Sequence, residues 1–175
     1  MDRIRLKDGR IAKVSFLSEK DSTKDLRDFI NRLICENACI TLDKKVTMKE
    51  EEQWKKAELE KFRKKQGYVL IARVDGKIAG ESGATKERGK GSENIVLGIV
   101  VAKEFRGVGL GEGLLRLSIK TAKKRFKPRN IYLSVLAPNK PAHALYKKLG
   151  FKEFAVFPKW IKQSNRHVDQ IFLKL

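Results

Sequence analysis

Residues Phe105 to Leu115 read FRGVGLGEGLL. Four glycines, at 107, 109, 111 and 113, follow an arginine and run directly into leucines at helical spacing. Glycine inside a helix costs about 1 kcal/mol against alanine, so four of them at a helix start must serve the backbone. Upstream, ENIVLGIVV (Glu93 to Val101) reads as a strand buried on both faces. Downstream, Leu110, Leu114, Leu117 and Thr121 mark an amphipathic helix that ends near Pro128. A strand, a glycine turn and a helix start together make an anion site, because the first helical N–H groups are unpaired and the dipole is positive there. Glycine lets a phosphate approach that backbone without meeting a Cβ. Neither common phosphate loop fits: a GxGxxG turn needs glycine where Glu112 and Leu114 stand, and a P-loop's Gly-Lys-Ser/Thr ending is absent.

Outward from this stretch, Arg10 to Ser18 alternates as a strand, and Leu26, Phe29, Ile30 and Leu33 form a helical stripe. Thr47 and Glu50 form a capping box opening a charged helix that stops at Gly67, with Trp54, Leu59 and Phe62 as its expected buried side. Asp75-Gly76 between two β-branched runs signals a type I′ hairpin. NIYLSVLA is a further strand, Ala142 to Leu149 a short helix closed by Gly150, and Phe151–Phe157 and Val168–Leu173 two late strands. No repeat or Pro- or Ser-rich linker divides the chain, so residues 1–175 are expected to be one domain.

Lys and Arg number 40 against 21 acids, a net charge of +19. Such a field attracts polyanions, or merely solvates a lysine-rich surface. No helix-turn-helix, zinc-finger or RNP-type motif and no interleaved aromatic platform appears, so nucleic-acid contact is expected to be at most weak and non-specific. The charged first ten residues carry no secretory core, and Ile95 to Ala102, the longest uncharged apolar run, is too short to span a bilayer. These features place the chain in the cytoplasm, away from membranes. Cys35 and Cys39 read as buried reduced thiols, and no metal site is expected.

Two motifs carry a resemblance. Arg106, Gly109 and Gly111, with Gly107 as an extra glycine, resemble the Arg/Gln-x-x-Gly-x-Gly/Ala loop of the GNAT (GCN5-related N-acetyltransferase) superfamily. NKPAHALYKKLGF, Asn139 to Phe151, resembles that family's Asn-x-x-Ala-x-x-Leu-Tyr-x-Lys-x-Gly-Phe motif, and the two occur in the family's order around one strand. The closing HVDQIFLKL is similar to the last family strand. The resemblance covers most of residues 10–175 and implies a mixed α/β GNAT fold, with a central, mainly antiparallel sheet flanked by about four helices.

It also implies an acetyl-CoA-dependent N-acetyltransferase working by direct attack of a primary amine. The glycines would admit the pyrophosphate, cradled by the amides of Arg106, Gly107, Val108, Gly109, Leu110 and Gly111. Ile99 and Val101 would offer backbone groups to the pantetheine arm. Tyr146 matches the tyrosine that protonates the leaving thiolate, a task suited to a phenol near pKa 10. Asn139 would contact the cofactor or cap a helix, and Lys148 would reach the 3′-phosphate or stand in solvent. For the base that deprotonates the acceptor, Glu93 has the histone acetyltransferase spacing, thirteen residues before Arg106; Glu81 and water are its competitors. The acceptor, a protein or a small molecule, is left open, as is a homodimer. A basic nucleic-acid-binding protein without catalysis and a CoA-binding GNAT domain without turnover are the alternative readings.

Overall fold

The computed structural model describes residues 2–175. In chain order the elements are β1 (Asp2–Arg5), β2 (Ile11–Phe16), α1 (Thr23–Cys35), α2 (Met48–Arg63), β3 (Gly67–Val74), β4 (Lys77–Lys86), β5 (Asn94–Val101), α3 (Leu110–Phe126), β6 (Asn130–Leu136), α4 (Lys140–Lys148), β7 (Lys152–Gln163) and β8 (Arg166–Lys174). The strands form one sheet in the order β1-β2-β3-β4-β5-β6-β8-β7. Only β5 and β6 pair in parallel; the other ladders are antiparallel. This is the expected mixed α/β architecture, with four α-helices among the described residues.

Local signals explain most boundaries. Ser22 caps α1 through the Asp25 amide, and Thr47 with Glu50 forms the reciprocal capping box of α2. Asp75 and Gly76 both have positive φ, 49° and 79°, the type I′ geometry that matches strand twist. Lys127 ends α3 in the left-handed region just before Pro128.

Register assigns the helices to faces. Tyr68, paired with Ala84, points to the face where its hydroxyl donates to the Ser118 carbonyl of α3. Glu81, Gly83 and Thr85 alternate onto the opposite face, opposite Val100, Gly98 and Val96 of β5, and α2 lies over them. Leu26, Phe29 and Leu33 of α1 and Leu110, Leu114 and Leu115 of α3 are buried, so apolar residues from helices on both faces meet the sheet core.

Several expectations are corrected. β1 was not foreseen, because DRIR has a single apolar residue; it forms as an edge strand paired with β2. Trp54 and Phe62 are only half-buried, and α2 instead buries Glu51, Lys55, Glu58 and Leu59. Lys55 can be buried because its ammonium donates to the Glu19 and Asp21 carbonyls before α1. The cysteines are not buried thiols: α1 stops at Cys35, which is exposed, and Cys39 is half-buried in the following loop. β5 is not buried on both faces, since Gly98 is exposed and Ile99 to Val101 are half-buried. β7 runs six residues beyond Phe157, accommodating Pro158 as an edge strand with a register shift between Phe157 and Ile161 can.

Gly113 also departs from the sequence reading. A Cβ there would lie 2.6 Å from Ile4 Cγ2, so this glycine serves close packing of α3 on β1, not the phosphate turn.

Candidate active site

The site begins where the sheet stops pairing. β5 and β6 are bonded through Asn94–Asn130, Ile95–Ile131 and Val96–Tyr132 only. From Leu97 onward they diverge, leaving one edge of β5 without a strand neighbour. A cavity of about 720 Å³ fills this slot, lined on its two sides by Leu97 to Val101 and by Ser134 to Leu136. Ile99 and Val101 therefore stand at the slot.

The glycine turn closes one end. Gly107 and Gly109 have φ of 77° and 92°, which a side chain would strain. Gly109 is the N-cap of α3, and Gly107, Gly109 and Gly111 line the cavity. Among the described residues the amides of 107–112 have no backbone acceptor, while that of Arg106 is used by the Lys103 carbonyl. Six donors at a helix start suit a diphosphate. Val108 spends its carbonyl on the Lys7 amide, and the Leu110 side chain is core, so both can contribute only through their N–H groups. Arg106 is committed elsewhere: its Nε donates to the Val101 carbonyl at 2.9 Å and its guanidinium pairs with Glu36. It fixes the turn between β5 and the end of α1. Lys7, on the β1–β2 turn, lines the cavity beside Gly109 and was not singled out by any sequence pattern.

α4 supplies the opposite wall. Tyr146 is 5% exposed and lines the cavity. Its hydroxyl has no hydrogen bond among the described residues, and burial pushes its pKa up to about 12. A phenol so raised keeps its proton at working pH and is available to donate a hydrogen bond into the cavity. Asn139 is both a cavity residue and the N-cap of α4, accepting from the Ala142 amide at 3.3 Å. Lys148 is held by Glu112 at 2.6 Å, which places its ammonium at the rim, outside the lining set.

The two carboxylates proposed as base are far apart in role. Glu93 is an exposed turn residue before β5, at the paired end, where its carbonyl accepts from the Arg129 amide. At about 3.3 Å per residue it lies roughly 20 Å along the strand from Ile99. It lines neither cavity. Glu81 lines a second hollow of about 330 Å³ on the α2 face, with Trp54, Glu58, Val69, Gly83, Thr85 and Leu97 to Val100. The Gly83–Gly98 pair leaves the floor of this trough bare. Leu97, Gly98, Ile99 and Val100 line both hollows, so donor cavity and acidic trough meet at the slot. Burial first, then Glu51 and Glu58, pushes the Glu81 pKa up to about 7. Burial also raises Glu51, and Glu58 is tied to Lys61 at 2.6 Å. The sequence shows these carboxylates as scattered acids; only the β4–β5 register and the seating of α2 gather them.

Residues 35–151 match the acetyltransferase (GNAT) family. An N-alpha-acetyltransferase of Sulfurisphaera tokodaii is 33% identical over 107 residues, covering 56% of this chain and 64% of that protein. The match thus spans just under two thirds of that relative's length. An acetyltransferase of the GNAT family from Streptococcus pneumoniae superposes with a TM-score of 0.83 at 26% identity, covering 94% of this chain and 98% of that one. The yncA protein of Salmonella typhimurium, solved with its cofactor acetyl-CoA, shares the fold at a TM-score of 0.78 and 21% identity, over 94% and 92% of the two chains. With its open slot, its amide-lined turn and a family match over more than half its length, this chain belongs to the acetyltransferase (GNAT) family.

Proposed function

We propose that the chain transfers an acetyl group from acetyl-CoA to the α-amino group of a protein N-terminus. The observation that carries this reading is the slot, where a donor cavity and an acidic trough share Leu97 to Val100. Bound acetyl-CoA would supply the thioester and its thiolate leaving group. The amides of 107–112 and Lys7 would hold its phosphates, and the free edge of β5 at Ile99 and Val101 would receive the pantetheine amides. Holding both reactants across one slot replaces an encounter in solution by a fixed approach.

Glu81 is the proposed base, in place of Glu93. It accepts one proton of the acceptor ammonium, the freed nitrogen bonds to the acetyl carbon, and as the C–S bond breaks the nitrogen gives its second proton to water, through which it reaches the departing thiolate. Tyr146 donates a hydrogen bond to the charge growing on sulfur. Outright transfer from a phenol near 12 to a thiolate near 8.5 is uphill, so the thiolate takes its lasting proton from water.

The same values favour an N-terminal acceptor. An α-ammonium near 7.7–8.0 loses its proton to a carboxylate of about 7 at a cost of about one pKa unit, whereas a lysine near 10.4 costs more than three. The relative from S. tokodaii, named an N-alpha-acetyltransferase, supports this choice. We place the reaction in the cytoplasm, where an exposed unpaired Cys35 stays reduced. The test is acetyl-CoA turnover on two peptides, one with a free N-terminus and no lysine, one N-terminally blocked with a single lysine. At least tenfold preference for the first is expected; equal or faster turnover of the second refutes the acceptor assignment.

A further inference from the structure

Most of the positive charge, and the β6–β8–β7 end of one sheet face, have no part in the proposed acetyl transfer. On the sheet face that carries Glu81, the ladder β7–β8–β6 sets Lys152 opposite Lys174 and Lys174 opposite Tyr132. Two like charges directly opposed on neighbouring strands repel. Among the described residues neither lysine is in an ion pair, and the acids nearby are engaged: Glu153 with His143 and Lys147, Asp169 with the Lys159 amide, and Glu87 with the Tyr132 hydroxyl.

From that row an unbroken series of rings leads along β7. Tyr132 meets Phe154 at 6.4 Å, Phe154 meets Phe172 at 6.3 Å, Phe172 meets Phe157 at 5.1 Å, and Phe157 meets Trp160 at 5.3 Å. Phe154, Phe157 and Trp160 are 51%, 41% and 64% exposed, and none lines the donor cavity or the acidic trough. The register shift after Phe157, anchored by Asp169 on the Lys159 amide, pushes Trp160 outward. Lys159 and Lys162 flank it. The aromatic platform absent from the linear sequence is thus assembled from residues 132, 154, 157, 160 and 172.

We propose that this face binds single-stranded nucleic acid, with bases stacked on Trp160 and Phe157 and phosphates on Lys152 and Lys174. Two observations select this occupant. Flat exposed rings offer stacking that every base can use, and the opposed lysines together with a chain charge of +19 call for a polyanion. A second copy of the chain would bring another +19 against the same face.

The experiment measures binding of a fluorescein-labelled 12-nucleotide oligo(U), its oligo(dT) counterpart and a 12-base-pair duplex by anisotropy, with tryptophan emission of wild type and Trp160→Ala read in parallel so that the Trp54 contribution is subtracted. Both single strands should bind at 50 mM KCl and quench Trp160, with the duplex weaker. Trp160→Ala should weaken oligo(U) binding roughly ten- to a hundredfold, and Trp160→Phe should restore much of it. Removing both lysines in Lys152→Ala/Lys174→Ala should flatten the log–log salt slope by about 1.4, at about 0.7 per phosphate on single strands. The kcat/KM for a four-residue acceptor peptide should stay within twofold in every variant, which also reports intact folding. Equal affinity of Trp160→Ala and wild type, duplex binding as tight as single strand, or no binding at 50 mM KCl overturns the proposal. So does a raised peptide KM in Trp160→Ala, which would make the face an acceptor surface. A dimer in light scattering that Trp160→Ala dissolves would make it a self-interface and equally overturn it.

Discussion

On the proposal that Glu81 is the base, removing a negative charge beside it should speed acetyl transfer in mild acid. Glu81 sits at about 7 because it is half-buried between the sheet and α2 and because Glu51 and Glu58 of α2 face it. At pH 6 a group of pKa 7 is about one-tenth ionised, so most of the enzyme lacks its base. Glu51→Gln keeps the shape of a buried side chain and removes one of the two like charges. If this lowers the Glu81 pKa by one unit, half of it is ionised at pH 6 and kcat there rises about fivefold, with little change at pH 8. Glu81→Gln in parallel should lose about 10²–10⁴ in kcat at pH 7. Its remaining rate should climb only as the acceptor amine itself loses its proton near 7.7–8.0. The assay is kcat against pH from 5.5 to 9 with saturating acetyl-CoA and an N-terminal peptide. An acid limb unmoved by Glu51→Gln and still present in Glu81→Gln would show that the titrating group is not Glu81. A Glu93→Gln variant with wild-type kinetics completes the set, and loss of the limb in that variant would return the base to the paired end of β5.

Gly111→Val places a side chain in the donor cavity where a Cβ meets Leu145 and Val101 at an ordinary 3.6 Å; the fold should survive while calorimetry shows acetyl-CoA affinity falling at least tenfold, and unchanged affinity would remove the phosphate role of the turn. Tyr146→Phe should bind acetyl-CoA normally and lose kcat by about 10²-fold, the lower end for losing one donor to developing charge, and a loss under twofold would mean that its hydroxyl does not stabilise the leaving sulfur. Gly113→Ala gains up to about 1 kcal/mol of helix propensity but drives a Cβ to 2.6 Å from Ile4; with overpacking costing about 1–3 kcal/mol, urea titration should show a net loss that Ile4→Ala relieves. A carboxyl whose folded pKa is raised from 4.5 to about 7 gives stability that is full below 4.5 and lost as pH rises through 7. Glu81→Gln should therefore raise the melting temperature at pH 8 and leave it unchanged at pH 4, by less than the ~3 kcal/mol of an unscreened shift because the residue is half-open to water.

The elements that could be read from sequence are those set by neighbours along the chain. Thr47 with Glu50, Asp75 with Gly76, and Gly109 before Leu110 each state a backbone geometry within four residues. The residues that line the larger cavity from the glycine turn and α4 could be picked out from such local signals, because both are contiguous motifs. Those of the acidic trough could not. Glu81 and Glu58 are 23 positions apart and meet only through the seating of α2 over β4 and β5. In the sequence, spacing from Arg106 favoured Glu93, yet β5 carries that residue to the wrong end of the slot. β1 escaped notice because an edge strand needs only one inward residue, here Ile4. The charged buried side of α2 defeated the apolar-stripe rule, since Lys55 satisfies carbonyls and Glu58 a lysine instead of packing against the core.

The interrupted ladder between β5 and β6 has a mechanical consequence. Along this seam the two parts of the sheet are joined by three residue pairs, reinforced by the hydrogen bond that the Asn130 side-chain amide donates to Asn94 Oδ1 at 2.8 Å and by the one from the Arg129 amide to the Glu93 carbonyl. Everything beyond Val96 is a crack running inward from one rim, with its tip at the Val96–Tyr132 pair. A long cofactor held by the amides of 107–112 and the free edge of β5 would act as a brace across such a crack. The unbraced protein should then breathe at the lips, with amides of Leu97 to Val101 exchanging hydrogen faster than those of Asn94 to Val96. Occupation of the crack would stiffen the whole sheet, so the liganded protein should be the more rigid state.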